Sequence, residues 1–154
     1  HASRVVMANL AQTVNVLQAV ILTEGDKMVL TPTYHVFDLY KAHQEGLLVP
    51  SHVETDESAP GVCRLSASAS RKDNVLTVTV ANTSATEGTE AVISLSGTKP
   101  AAAHGRMLAG EMHAKNDFDA SPVAIQPLTD IAIQGDEVRV SLPACAVAEI
   151  TITL

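Results

Sequence analysis

A nearly continuous apolar run near the start of the chain constrains its fold most. Residues Val5 to Ala11 include a single polar side chain, that of Asn9. Strands that are buried on both faces have this pattern, and they occur in parallel sheets that are covered by helices. The run ends at Gln12. Because such sheets meet their ligands at the carboxyl ends of strands, Gln12 is a candidate binding residue.

A helix is predicted over residues 31–45. Thr31 can cap the amino-terminal end, and Pro32 suits the first helical position, where an N–H group would have no partner within the helix. Gly46 is a natural stop. The apolar and aromatic side chains recur at helical spacing, so we interpret them as packing residues and not as ligands: Tyr34, His35, Phe37, Leu39, Tyr40 and His43.

The segment between the apolar run and the helix is less informative. Residues 13–22 are apolar but mixed in period, so a packed loop and a short helix both remain open. Residues 23–26 have the composition of a turn.

The remainder of the chain predicts an antiparallel β-sandwich. Apolar and polar residues alternate with period two in residues 62–68, 75–80, 91–96, 138–142 and 148–154, and less clearly in residues 106–112. Short alternating strands separated by turn residues are typical of sandwiches. A polar, acidic linker separates this part from the helix, so we divide the chain into an α/β unit at residues 1–46 and an all-β domain at residues 47–154.

Composition excludes several classes of partner. The net charge of −7 disfavours nucleic acid and anionic membranes, and no apolar run approaches the roughly 20 residues of a membrane span. Cys63 and Cys145 have no metal-ligand spacing, and we expect two reduced, mostly buried thiols in the cytoplasm. No secretory signal peptide is recognised. The chain begins with His1 and not with Met, so we expect the true amino terminus to lie upstream.

The sequence motifs of common catalytic sites are missing. The six histidines have no metal-ligand spacing, and there is no nucleophile elbow, phosphate loop or dinucleotide fingerprint, so we expect no metal and no cofactor. The carboxylates lie in turns and in the linker, so we expect no catalytic residue in this chain. Gln12 has two interpretations: an amide that satisfies nearby backbone groups, or a hydrogen-bonding group for a polar ligand.

Several segments carry a family resemblance. They are His-Ala-Ser-Arg-Val (1–5), Met-Ala-Asn-Leu-Ala-Gln-Thr-Val-Asn-Val-Leu-Gln (7–18), Met-Val-Leu-Thr-Pro-Thr-Tyr-His-Val-Phe-Asp-Leu-Tyr (28–40) and, in the tail, Asn116-Asp-Phe-Asp and Leu142-Pro143. In these segments the chain resembles the carboxyl-terminal part of α-L-arabinofuranosidases of glycoside hydrolase family 51. The resemblance is strongest over residues 1–43. Ser3 departs from the acidic residue expected there, which is a surface-type change.

The resemblance implies a specific architecture. Residues 4–12 would be the eighth strand and residues 31–45 the eighth helix of a (β/α)8 TIM barrel. A jelly-roll-like β-sandwich would follow. Gln12 matches the family position that hydrogen-bonds the arabinose next to the scissile bond.

The resemblance also implies a reaction. Family members release terminal α-L-arabinofuranosyl units from arabinan, arabinoxylan and arabino-oligosaccharides with retention, using two glutamates about 5 Å apart. Both glutamates would lie upstream of His1. This chain alone is therefore expected to be inactive, with the amino-terminal portion of the enzyme as its partner, and a homo-oligomer is expected.

The alternative is a non-catalytic β-sandwich that acts as a binding or structural module. Carbohydrate-binding surfaces rely on aromatic platforms, but residues 47–154 contain no Trp, no Tyr and only one Phe, Phe118. The composition therefore favours a structural sandwich that braces the barrel.

Overall fold

The first third of the chain folds into a hairpin and a helix. The computed structural model describes residues 4–17 and 19–154; residues 1–3 and 18, which belong to the segments that carry the resemblance, lie outside these ranges. The elements are β1 (Ile21–Glu24), β2 (Lys27–Leu30), α1 (Pro32–Tyr40) and a 3-10 turn (Lys41–His43). Thr31 caps α1 and Pro32 occupies its first turn, which confirms both predictions. The α-helix ends at Tyr40, earlier than predicted, and the 3-10 turn continues it to His43.

The remaining elements are short strands. They are β3 (Leu47–Leu48), β4 (Glu57–Ala59), β5 (Val62–Cys63), β6 (Leu65–Lys72), β7 (Val75–Asn82), β8 (Thr89–Ser94), β9 (Ala102–Leu108), β10 (Gln126–Pro127), β11 (Ile131–Gln134), β12 (Glu137–Leu142) and β13 (Ala146–Thr153). Most of the alternating segments are therefore strands. The ambiguous segment at residues 106–112 is a strand only as far as Leu108, and β10 and β11 were not predicted.

The strands form two main antiparallel sheets. One has six strands in the order β10-β9-β13-β7-β6-β3, and the other has three in the order β11-β12-β8. The hairpins β1–β2 and β4–β5 are separate two-stranded sheets.

The main hydrophobic core contains side chains from both of these sheets. Ala148, Ile150 and Ile152 of β13 are fully buried and alternate with residues that point to the opposite face. They belong to one cluster with residues of β7 and β12, namely Leu76, Val78, Val80, Val138, Val140 and Leu142. The period-two pattern in the sequence therefore marks the core face of each strand.

The opposite face of the six-stranded sheet is covered by α1. Leu39 of α1 is completely buried against Leu108 of β9 and Val123, with Val36 beside it. Both faces of the sheet are thus buried around β13, and this explains why the polar residue Glu149 is only 4% exposed.

The strand predicted over residues 4–12 is not formed in this structure. These residues belong to no sheet among the described parts of the chain, and Val6 is 97% exposed. A strand needs a neighbouring strand that takes its backbone N–H and C=O groups, and none of the described sheets includes residues 4–12. Residues 4–12 are exposed, so the burial that the apolar pattern predicts is not seen in this structure.

Residues 13–22 contain a loop and the start of a hairpin. Residues 13–17, 19 and 20 lie in no helix or strand, apart from an isolated bridge between Val14 and Ile21, and the chain then enters β1. The predicted turn follows, with Gly25 at φ 59° between β1 and β2. The loop interpretation is confirmed, but the two strands of the hairpin were missed.

Phe37 and Tyr40, which we interpret as packing residues, are exposed in this chain, because α1 packs on the sheet through Val36 and Leu39. The prediction of two mostly buried thiols is wrong for Cys63. Both cysteines are free thiols, as expected, but Cys63 is exposed and Cys145 only half-buried. Cys63 lies in the short hairpin β4–β5, outside the main core.

Candidate functional site

Gln12 lies where the chain changes direction sharply. Its backbone has φ 47°, and that of Asn15 has φ 56°. Residues other than glycine hold this left-handed conformation at a cost of about 1–3 kcal/mol, and such residues concentrate at functional sites. The Gln12 side chain is exposed. Gln12, the candidate binding residue, therefore combines a constrained backbone with an exposed side-chain amide.

The side chain of Asn15 fixes the loop after Gln12 to the hairpin. Its Oδ1 accepts from the backbone N–H of Thr23 at 2.7 Å, and its Nδ2 donates to the Thr23 carbonyl at 3.1 Å and to Thr23 Oγ1 at 2.9 Å. The N–H groups of Val20 and Ile21 both donate to the Thr13 carbonyl at 3.0 Å. The loop is therefore closed by its own hydrogen bonds.

Thr31 holds the far end of the same loop. Its buried Oγ1 donates to the Ala19 carbonyl at 2.7 Å and accepts from the N–H of Tyr34 at 3.4 Å. One hydroxyl thus caps α1 and ties the loop to the start of the helix. The cap was predicted from sequence, whereas the contact with Ala19, 12 residues earlier, has no local sequence signal.

Asn116 connects the sandwich to this assembly. It is 4% exposed, and its Nδ2 donates to the carbonyls of Leu30 at 2.9 Å and Val123 at 2.7 Å. Its Oδ1 accepts from the N–H of Val123 at 2.9 Å. A loop of the sandwich is therefore attached directly to the end of β2, just before the helix cap. Sequence reasoning placed Asn116 only within a family-like segment and assigned it no role.

A second polar cluster lies between α1 and the six-stranded sheet. Arg106 donates from Nε to Glu149 at 3.2 Å and from Nη1 to Asp38 of α1 at 3.1 Å. Thr151 Oγ1 donates to Glu149 at 2.6 Å. The hydrogen bond from Lys41, at 2.8 Å, lowers the pKa of Asp38. Because the pKa of Asp38 is lowered by its cationic partners, Asp38 is not suited to donate a proton in catalysis.

His43 extends this cluster toward β6 and β7. Its Nδ1 lies 2.7 Å from Ser70 Oγ, and its Nε2 lies 3.0 Å from Thr79 Oγ1. Burial lowers the pKa of His43, although the nearby carboxylate of Glu149 acts in the opposite direction. A serine beside a histidine can form a nucleophile and base. Here Ser70 is buried, and the other ring nitrogen of His43 contacts the hydroxyl of Thr79 and not a carboxylate, so a catalytic role is not supported. We interpret these contacts as a structural link between the turn after α1 and the sheet.

The loop after Gln12 is thus linked to the sandwich through Thr31 and Asn116. Helix α1 is linked to the six-stranded sheet through the hydrogen bond between Asp38 and Arg106. Comparison with known proteins shows which family has this sequence and fold. The family described as the α-L-arabinofuranosidase C-terminal domain matches residues 1–146. The chain belongs to this family.

Individual members of the arabinofuranosidase family agree with this assignment. An intracellular exo-α-L-arabinofuranosidase from Bacteroides ovatus is 38% identical, over 94% of this chain and 29% of that protein. The crystal structure of the family 51 arabinofuranosidase from Xanthomonas axonopodis pv. citri matches 99% of this chain and 32% of its own, at 36% identity and a TM-score of 0.88. The α-L-arabinofuranosidase from Thermotoga maritima, in its arabinose complex, matches 96% of this chain and 34% of its own, at 26% identity and a TM-score of 0.84.

The chain spans about a third of the length of these arabinofuranosidases. The family that it matches is described as their carboxyl-terminal domain. Within the described ranges no three His, Cys, Asp or Glu side chains are grouped to hold a metal ion. No helix in the described parts is long and apolar enough to cross a membrane.

Proposed function

We propose that this chain is the carboxyl-terminal part of a retaining α-L-arabinofuranosidase of glycoside hydrolase family 51. The enzyme would remove terminal non-reducing α-L-arabinofuranosyl residues from arabinan, arabinoxylan and arabino-oligosaccharides. The observation that carries this proposal is the family match over residues 1–146, together with relatives that are about three times longer. The acid/base and nucleophilic glutamates would belong to the amino-terminal portion, so this chain alone would be inactive.

The proposal includes two domains. Residues 1–46 would provide the last strand and helix of the (β/α)8 barrel, and residues 47–154 a jelly-roll-like sandwich. The exposed apolar side chains of Val5, Val6 and Met7 support the first assignment, because soluble proteins rarely leave such a run uncovered. Pairing with strands of the amino-terminal portion would give residues 4–12 the strand conformation that they lack in this chain.

Gln12 would contact the arabinose next to the scissile bond. Three observations support this role: its place at the end of the apolar segment, its left-handed backbone and the anchored loop that follows it. An amide can donate to one sugar hydroxyl and accept from another. The contacts of Asn15 and Thr31 with the hairpin and the helix would keep this amide in place.

The sandwich would brace the barrel instead of binding polysaccharide by itself. This is supported by the contact of Asn116 with Leu30 and by the ion pairs that link Asp38 of α1 to Arg106 and Glu149. Together with the contacts of His43 with Ser70 and Thr79, they tie the proposed barrel unit to the sandwich at several places. The alternative of a free-standing binding module does not account for them.

A cytoplasmic location and a homo-oligomer complete the proposal. The Bacteroides ovatus relative is named intracellular, which supports the location. Leu47 and Leu48 support an oligomer, because both are exposed on the edge strand β3. Light scattering of the assembled enzyme, in the wild type and in a Leu47→Lys variant, measures whether this edge contributes.

The activity is tested by comparing this chain with and without the amino-terminal portion of the enzyme. We expect hydrolysis of 4-nitrophenyl α-L-arabinofuranoside only in the assembled protein, with the α-anomer of arabinose as the first product in an NMR time course. The isolated chain should bind a dye for apolar surface through residues 4–10 and the exposed face of α1. Turnover by the isolated chain, or release of the β-anomer first, would contradict the proposal.

A further inference from the structure

A pocket opens between the loop that follows Gln12 and a loop of the sandwich. Its volume is about 590 Å³, and its walls include Asn15, Leu17, Thr33, Lys115 and Phe118. Small-molecule sites in proteins commonly have volumes of about 300–1,000 Å³ and are lined by apolar and aromatic side chains with a few polar groups. This pocket has that size and that mixture.

Phe118 is the only aromatic residue in residues 47–154, and the structure places it in this pocket. The turn that carries it is held firmly. Asp117 Oδ1 accepts from the N–H groups of Asp119 at 3.1 Å and Ala120 at 3.0 Å, and these hydrogen bonds lower the pKa of Asp117. The preceding residue, Asn116, is fixed by its contacts with Leu30 and Val123. The backbone that carries Phe118 is therefore held in place before any ligand arrives.

The polar groups around the ring suit a carbohydrate. Lys115 extends from the same turn with 78% of its side chain exposed, and its Nζ lies 3.4 Å from Asp117, so its ammonium remains accessible at the rim. Thr33 adds a hydroxyl-bearing side chain to the lining of the pocket. A sugar ring presents C–H groups on its faces and hydroxyls at its edge, so an aromatic ring beside donor and acceptor groups matches both surfaces.

We propose that this pocket is a distal subsite for an arabino-oligosaccharide whose terminal unit occupies the Gln12 site. The proposal rests on the proposed function. The loop itself makes the connection, because Asn15 forms a wall of the pocket and lies three residues after Gln12. Phe118 would pack on a sugar ring beyond the scissile bond, and Lys115 would donate to its hydroxyls.

The test uses the assembled enzyme with two substrates. The first is 4-nitrophenyl α-L-arabinofuranoside, which is too short to reach a distal subsite, and the second is an α-1,5-linked arabinotriose. We expect Phe118→Ala to lower kcat/KM about ten-fold for the triose and less than two-fold for the aryl glycoside, as loss of one buried aromatic contact predicts. Phe118→Tyr keeps the ring and should retain most of the triose activity.

Two further variants serve as controls. Met112→Ala removes an exposed apolar side chain from the same region of the chain but outside the pocket. It should leave kcat/KM unchanged for both substrates. Lys115→Ala changes only an exposed side chain, so it tests the subsite even if Phe118→Ala fails to fold. It should lower kcat/KM for the triose alone, about three-fold, as expected for one hydrogen bond to a hydroxyl.

The outcomes separate this subsite from the proposed function. If the wild-type enzyme hydrolyses neither substrate, the proposed function is wrong, and the subsite with it. If it hydrolyses both, but Phe118→Ala and Lys115→Ala leave the ratio of the two kcat/KM values unchanged, only the subsite is wrong. In that case the pocket is filled by the amino-terminal portion of the enzyme, or Phe118 supports the loop.

Discussion

Asn116 and Leu30 are 86 residues apart in the chain, and a hydrogen bond of 2.9 Å joins the side-chain amide of the first to the carbonyl of the second. The bond connects a loop of the sandwich to the residue directly before the helix cap Thr31. Through Thr31 it also reaches the loop that follows Gln12. The position of the candidate binding loop therefore depends on a residue in the other half of the molecule.

Replacing Asn116 tests this dependence. Asn116→Ala leaves two carbonyls and one N–H group without their partners, and we expect the free energy of unfolding of the assembled protein to fall by about 2–4 kcal/mol. Urea unfolding measures this change. Ser121→Ala, at an exposed position of the same loop, is the control and should change the value by less than about 0.5 kcal/mol. Equal effects of the two variants would show that Asn116 is not an anchor.

The ion pair between Arg106 and Glu149 should contribute more to stability than the pairs at the surface. Glu149→Ala leaves Arg106 without one of its two carboxylate partners in a partly buried position, and we expect a loss of about 2–4 kcal/mol. The control is Glu90→Ala, which breaks the more exposed pair with Arg139 and should cost less than about 1 kcal/mol. Thermal or urea unfolding of both variants gives the comparison. A similar loss of stability in the two variants would contradict a larger contribution from the pair between Arg106 and Glu149.

Acidification should lower the free energy of unfolding, because protonation of His43 weakens its contacts with Ser70 and Thr79 of the sheet. Burial lowers the pKa of His43 in the folded protein below its ordinary value of 6.5. The unfolded chain therefore takes up the proton first, so this contribution is fully present above about pH 6.5 and is lost as the pH falls toward the lower pKa of the folded state. Urea unfolding at pH 7 and pH 5 measures the loss.

Variants at two histidines test whether His43 causes this pH dependence of the unfolding free energy. His43→Gln should reduce the difference in unfolding free energy between the two pH values, because glutamine does not titrate. His52→Gln, at an exposed position, should leave the difference as in the wild type. Asp38 does not interfere, because its lowered pKa affects stability only at pH values near and below 3.8. If His43→Gln keeps the full pH dependence, another group is responsible.

Gln12 should affect catalysis more than stability. In the assembled enzyme Gln12→Ala removes a hydrogen bond to the sugar worth about 1–3 kcal/mol, so we expect kcat/KM for the aryl arabinofuranoside to fall roughly ten- to a hundred-fold. The melting temperature should change little, because the side chain is exposed in this chain. Normal kinetics with a lower melting temperature would instead show that the amide satisfies backbone groups.

The sequence was informative wherever a pattern is local. The alternation in β13 predicted a strand with one face in the core, and Thr31 followed by Pro32 predicted the start of α1. Both signals depend on neighbours within a few residues. The apolar run from Val5 to Ala11 is equally local, but a strand also requires a partner strand, and the sheets of the described residues include none for it.

The contacts that hold the candidate site could not be predicted in this way. Asn116 lies in a polar loop without periodicity, and its most distant partner, Leu30, is a backbone carbonyl that any residue would offer. Glu149 occupies a position of β13 that faces away from the core, where a solvent-exposed residue is expected. It is buried because α1 covers that face and because Arg106, 43 residues earlier, pairs with it.

The place of β13 in the six-stranded sheet has a consequence for how the protein is made. This strand is the last in chain order, yet it lies between β9 and β7 and pairs with both along most of its length. The earlier strands of this sheet therefore cannot complete their pairing until residues 146–153 have been synthesised, and until then the apolar face of β7 lacks its partner. Long-range pairing of this kind slows folding and prolongs the exposure of unpaired strand edges. Before β13 is added, the incomplete sheet therefore exposes apolar surface and strand edges that favour aggregation.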